Sequence, residues 1–224
     1  MFGGPGDIDA CLVSPRIRKT IAVHPQPPRR TTHAHGTPKN LLVYDRWGRY
    51  GRPVVLLHGL FYDRTIWWPV AAELGDACSV IAVDLPGHGH SAARSENDVT
   101  GLARDLAVLV NGLNLHRAPV LVGQGEGALL AEAFADSYAT RAVLTFDEPA
   151  AEPPDCPDQH RATADLDGVP APYRQFAVAR WDRSLLRSYH CWFSNRKQSR
   201  TGKRPCFPHL RAPARFAATL KDLI

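Results

Sequence analysis

Apolar positions along this chain follow two rhythms, and their alternation sets the architecture. Short, nearly continuous apolar runs occur at Val54–Leu57, Ser79–Val83, Val120–Val122 and Ala142–Phe146. Such runs are the pattern of parallel strands buried on both faces. Between them the period lengthens. Leu102, Leu106, Leu109, Val110 and Leu113 share one face of a helix predicted over 98–113, with Asp98 or Thr100 able to cap its start. A second helix is expected over 128–138. A third is expected within 65–74, starting close to Trp67 because Pro69 is tolerated only in a first turn. Leu41–Tyr44 reads as a short strand that stops at the turn-prone Asp45-Arg46-Trp47-Gly48. Strands alternating with helices over 54–146 imply an α/β fold, a mostly parallel sheet with helices on both faces. After Asp147 the pattern weakens. Residues 149–172 are rich in Pro and Asp and read as loop, 173–193 can form a helix, and 213–224 form a closing helix. No further buried strand is evident after Phe146.

Composition changes this picture little, but the distribution of charge changes it more. The chain has 224 residues and a formal charge of +5, enough for one sizeable core. Residues 1–39 carry six basic and two acidic side chains, 40–195 thirteen and nineteen, and 196–224 eight and one. The basicity therefore sits in the two ends, outside the expected fold. Residues 1–39 are read as an irregular basic extension and 40–224 as a single domain. Within that domain, 150–195 supply loop and cap-like helices, and 196–224 a basic segment before the closing helix. Basic tails can hold polyanions loosely, yet no nucleic-acid-binding pattern accompanies them, so a salt-sensitive contact through 196–204 is the least favoured function. His24, His33 and His35 lie in the Pro-rich stretch and read as solvated leader in preference to metal ligands. Five scattered cysteines without a CxxC pair suggest free thiols. With no apolar run near the length of a membrane span and no secretory leader pattern at 1–20, a cytoplasmic protein without membrane partner, metal or cofactor is expected.

Three segments carry candidate chemistry. His58-Gly59-Leu60 follows the strand at 54–57, and Asp84-Leu85-Pro86-Gly87-His88-Gly89-His90-Ser91 follows the strand at 79–83. Gly123-Gln124-Gly125-Glu126-Gly127 joins the strand at 120–122 to a helix. In this order, and each at a strand end, they resemble the α/β-hydrolase superfamily, with its HG turn, D-x-x-G-x-G-x-S and G-x-S-x-G nucleophile elbow. The resemblance covers about 41–149. Cys206-Phe207-Pro208-His209-Leu210 with Pro213 and Phe216 extends it to the superfamily's final loop and helix. It implies a three-layer α/β/α fold, here truncated after the sixth strand by an internal deletion.

The same resemblance marks departures. Gly125 stands at the nucleophile position and Cys206 at that of the catalytic histidine, while His209 matches a second, non-catalytic histidine. The resemblance assigns the oxyanion donors to the backbone N–H groups of Leu60 and Glu126, and a loop-bracing role to His58. His88 and His90 are turn residues. Asp147 is first a strand-end turn residue and second a candidate acid. The Glu126 side chain, one residue past the elbow, is expected to point away from substrate. Trp67 and Trp68 either line a pocket or pack on the sheet. The readings that follow are a catalytically impaired relative of serine ester or amide hydrolases, with a small molecule above Gly125 as its one admitted partner, or an active hydrolase of small esters. The active reading would use water held by Asp147, or Cys206 ionised by the nearby His209.

Overall fold

The computed structural model describes residues 29–147, 149, 165–180, 183–194 and 206–224. Its core is one six-stranded sheet of β1 (Thr31–His35), β2 (Leu42–Trp47), β3 (Pro53–Leu57), β4 (Ser79–Val83), β5 (Val120–Gln124) and β6 (Ala142–Phe146). The strand order is β1-β2-β4-β3-β5-β6. Strands β4, β3, β5 and β6 are parallel, and β1 and β2 join antiparallel. The apolar runs explain the centre. Every residue of β3, β4 and β5 is buried, which requires cover on both faces.

That cover comes from two sets of helices. Helix α1 (Trp68–Leu74) packs against the closing helix α8 (Pro213–Lys221), and α2 (Val99–Gly112) packs against α3 (Gly127–Ser137). Helix α1 follows a 3-10 turn at Arg64–Trp67 and carries Pro69 in its first turn, where a missing N–H costs nothing. The Asp98 carboxylate caps α2 by accepting from Gly101 N–H at 2.7 Å. Leu102, Leu106 and Leu109 are buried on one face, as their spacing requires.

Three elements differ from the sequence expectation. Thr31–His35, placed there in the irregular extension, is an edge strand paired along β2. It has no apolar period because four of its five side chains are exposed, so only the partner strand specifies it; residues 1–28 lie outside the described set. Strand β2 runs on through Asp45–Trp47, where a turn is expected. Asp45 is tolerated mid-strand because its buried carboxylate is fully engaged, accepting from Thr32 Oγ1 (2.7 Å) and Trp68 Nε1 (2.8 Å) and pairing with Arg64 Nε (3.1 Å). The expected helix over 173–193 is broken into α4 (Ala171–Arg174), a 3-10 turn, α5 (Arg183–Ser188) and α6 (Cys191–Ser194). Hydrogen bonds to the body bend it. Arg180 N–H donates to Phe61 O (2.8 Å), Tyr189 OH to Pro86 O (2.7 Å) and Trp192 Nε1 to Asn97 O (2.7 Å). Tertiary anchoring of this kind overrides local propensity.

Strand β6 is the last strand among the described residues and forms the sheet edge, with Val143 38% exposed. At the opposite end of the parallel set, Asp84 caps β4. Its carboxylate accepts from Arg64 N–H (2.9 Å) and His90 N–H (3.0 Å) and pairs with Arg64 Nη1. Ser91 Oγ donates to Asp84 O (2.7 Å) and accepts from Val43 N–H (2.8 Å), which closes the loop onto β2. Gly89 lies at φ +51° with its α-carbon against the Asp84 carboxylate, and a β-carbon there would collide with both carboxylate oxygens. The carboxylate is held by three donors and cannot move aside cheaply. Replacement Gly89→Ala should therefore lower the free energy of unfolding by about 3 kcal/mol or more, read as a lower urea midpoint at unchanged slope.

Candidate active-site crevice

The elbow between β5 and α3 turns at Gly125, whose φ is +53°. Its N–H donates to Phe146 O at 3.0 Å, which continues the β5–β6 pairing by one residue. A β-carbon built on Gly125 would lie 3.7 Å from Gly59 Cα and 3.8 Å from Asp147 O, ordinary contact distances. Space for a side chain exists; the side chain does not. A left-handed backbone is strained for any residue bearing one and free for glycine.

Opposite the elbow, the fold joins two residues 59 positions apart. Asp147, at the end of β6 with φ +53°, accepts from Cys206 N–H (2.9 Å) and from Cys206 Sγ–H (3.2 Å) on Oδ1. On Oδ2 it accepts from Gln124 Nε2 (3.2 Å) and Phe207 N–H (3.3 Å). Asp147 thus both ends the strand and pins the final loop. Cys206 is exposed at its surface, but partial desolvation, the hydrogen bond to Asp147 and that carboxylate's charge push its thiol up to about 11, so at neutral pH it is a thiol and not a thiolate. His209 does not serve it. The imidazole is fully buried among Trp67 (ring centroids 4.7 Å), Phe146 (5.1 Å), Phe207 and Phe216, and neither nitrogen has a hydrogen-bond partner among the described residues. Burial alone draws its pKa down to about 3.

The third side of the crevice is Leu60. Its N–H donates to Glu126 Oε2 at 3.1 Å, and its carbonyl accepts from His88 Nε2 at 2.8 Å. The expectation that the Glu126 side chain points away is therefore corrected. Glu126 is 2% exposed and its carboxylate folds back across the elbow to the HG turn. The absence of a side chain on Gly59 leaves room for it, since a β-carbon there would stand 3.3 Å from Oε2. Tyr62, 3% exposed, packs edge-on to Phe207 (5.5 Å) beside these groups, and its phenol is raised by burial and then by the charges of Glu126 and Asp147. His58 ties two loops: Nδ1–H donates to Gly59 O (2.9 Å) and Nε2 accepts from Leu85 N–H (3.0 Å). Burial depresses both His58 and His88 to about 4, so both are neutral at pH 7.

The two tryptophans divide the two expectations between them. Trp67 is wholly buried, whereas Trp68 lines a cleft of about 400 Å³ with Arg30, Tyr62, Asp63, Arg64, His90 and Arg180. The Arg30 guanidinium lies 3.8 Å over the Trp68 ring, and Arg180 pairs with Asp63 at 2.8 Å. No group of three or more potential metal ligands occurs among the described residues, and no helix among them is long and apolar enough to cross a membrane. Sequence reasoning missed Gln124, Tyr62 and the direction of Glu126. No spacing signals them, because Gln124 and Glu126 are aimed by the backbone on either side of Gly125 and Tyr62 by the loop after the HG turn.

A sequence profile of the alpha/beta hydrolase family matches residues 54–223. Over 89 residues the chain is 36% identical to the 2-succinyl-6-hydroxy-2,4-cyclohexadiene-1-carboxylate synthase of Yersinia pseudotuberculosis, a segment that is 40% of this chain and 26% of that relative. The match thus spans about a quarter of the relative's length. Among solved structures, a protein of Burkholderia cenocepacia provisionally described as an aryl esterase superposes with a TM-score of 0.62 at 19% identity, over 87% of this chain and 97% of the other. A thermophilic esterase from Thermogutta terrifontis superposes at 0.54 and 26% identity, over 76% and 74%.

The buried histidines set a pH dependence. Each has a folded pKa below the unfolded value of about 6.5, so the stability they share is complete above that value. It is lost as pH falls through the window toward the folded values of about 4, 4 and 3. The slope should approach about 1.4 kcal/mol per pH unit for each histidine, measured by urea unfolding between pH 7 and 5. Because neither His209 nitrogen has a hydrogen-bond partner among the described residues, His209→Leu should flatten the slope by one proton with little loss at pH 7; an unchanged slope would contradict the assignment.

Proposed function

On the premise that the chain belongs to the alpha/beta hydrolase family, we propose that it is a non-catalytic relative of serine ester and amide hydrolases that keeps their scaffold. One observation carries the reading. The turn that in this fold presents a nucleophile presents Gly125, and no other described side chain takes over its role. Removing the reacting group removes the covalent pathway, leaving at most what hydrogen-bond donors contribute.

The surrounding geometry supports the same reading. Activating water or a thiol needs a base with a free lone pair and a pKa near the working pH. Asp147 already accepts from four donors, and the Cys206 thiol, held up near 11, faces that carboxylate and not an imidazole. The alternative, small-ester hydrolysis by Cys206 or by water on Asp147, therefore finds no free proton acceptor beside either group among the described residues. A small molecule, expected above Gly125, finds a cleft instead beside Tyr62 and Trp68, lined also by Arg30, Arg64, His90 and Arg180 and not by Gly125.

Two experiments test the reading. With a panel of short-chain p-nitrophenyl esters, the natural chain should match the buffer blank, and Cys206→Ala and Asp147→Asn should change nothing. Multiple turnover lost on either substitution would establish the alternative. Separately, Gly125→Ser should lower stability by about 1–3 kcal/mol through backbone strain, because the space for the side chain is already present. A urea midpoint at or above that of the natural chain would remove the argument that the elbow has been relaxed.

A further inference from the structure

We propose that Glu126 determines what the crevice can accept: its carboxylate is an internal ligand of the Leu60 N–H and fills the position where a substrate oxygen would be polarised. This rests on the non-catalytic reading above and adds to it an exclusion of carbonyl and oxyanion ligands that is independent of the absent nucleophile.

The geometry is specific. Leu60 is wholly buried and held from both sides, its carbonyl by His88 at 2.8 Å and its N–H by Glu126 Oε2 at 3.1 Å. Turning this N–H rotates the Gly59–Leu60 peptide, whose carbonyl accepts from His58 Nδ1–H (2.9 Å) and Tyr62 N–H (3.0 Å), so it would break those bonds as well as the one to Glu126. Glu126 itself is 2% exposed. A hydrogen bond from a buried amide to a carboxylate is charge-assisted and stronger than one to a neutral carbonyl, so a neutral ester oxygen competes poorly for the same donor. The transition state competes worse, since an oxyanion developing beside a fixed carboxylate meets repulsion where the fold would otherwise supply stabilisation. The absence of a β-carbon on Gly59 and the turn at Gly125 allow the carboxylate to reach this point. Built there, a Gly59 β-carbon would press on Oε2 at 3.3 Å. A hydrophobic side chain at 126 would leave the amide open. The crevice accordingly rejects esters, carboxylates and phosphonates at Leu60, and a ligand must approach it without an acceptor there.

The test restores the missing chemistry with the plug present and absent. In Gly125→Ser/Cys206→His, the introduced hydroxyl can attack p-nitrophenyl acetate: its oxygen bonds to the acetyl carbon, its proton passes to the introduced imidazole beside Asp147, and p-nitrophenolate leaves. Water then releases acetate. The double variant should hydrolyse little, and adding Glu126→Met should raise kcat/KM by about 100-fold, the scale of one oxyanion donor. Equal activity of the double and triple variants would overturn the proposal. Where neither variant turns over, the Leu60 amide decides, using hydrogen exchange by NMR on the natural chain and on the single variant Glu126→Met. Exchange about tenfold faster in the variant, the worth of one lost hydrogen bond, supports the plug; an unaltered Leu60 amide overturns it. Turnover by the natural chain would instead sink the non-catalytic reading, and the Leu60 exchange result would still judge Glu126 on its own.

Discussion

A single guanidinium, Arg64, held between the buried carboxylates of Asp45 and Asp84, is the constraint on which the crevice depends. Burial works against its charge, yet the two carboxylates together raise its pKa. Asp45 lies in the middle of β2, Asp84 at the end of β4, and Arg64 begins the 3-10 turn that follows the HG loop. One ion cluster therefore fixes the antiparallel flank, the central sheet and the loop bearing Leu60 and Tyr62 relative to one another. Breaking such a cluster by removing one member leaves an uncompensated buried charge, a loss of about 3–5 kcal/mol. The same cluster gives the D-x-x-G-x-G-x-S segment its physical meaning. Asp84 receives the guanidinium and two backbone N–H groups, Gly89 makes room for it, and Ser91 stitches the loop to β2. Together these residues place the loop that faces the elbow.

Much of this was legible in the sequence where the signal is periodic. The all-apolar runs of β3, β4 and β5, the Asp98-capped helix and the position of Pro69 follow from the pattern of residues. The turn at Gly125 is legible too, because it sits between strand β5 and helix α3. What escaped was of another kind. Thr31–His35 shows no period because its specification lies in the partner strand. Asp45 looked like a turn residue because its three partners come from positions 32, 64 and 68. Glu126 was misread because alternation rules fail at a turn with positive φ. There the backbone rotates the next side chain back over the sheet, toward a loop 66 residues earlier.

The turn at Gly125, the Leu60 amide and the Asp147 carboxylate share one property: each meets its local requirement within the fold. An active site keeps strained conformations and unsatisfied groups, and the rest of the fold compensates for them. Here the inherited groups have been given partners. The strained elbow position holds the one residue without strain. The Leu60 N–H, which would wait for a substrate oxygen, is bonded to Glu126. The Asp147 carboxylate, which could orient an imidazole, accepts from Cys206, Phe207 and Gln124. A buried unpaired donor or acceptor weighs about 1–3 kcal/mol, so pairing the Leu60 N–H and the Asp147 carboxylate stabilises the loops that carry them. Glycine at the elbow, a carboxylate in the donor pocket and a thiol on the acid are thus mutually consistent. Against these pairings, Gln124 Oε1 and both His209 nitrogens stay buried without partners among the described residues, and Asp147 keeps a left-handed backbone.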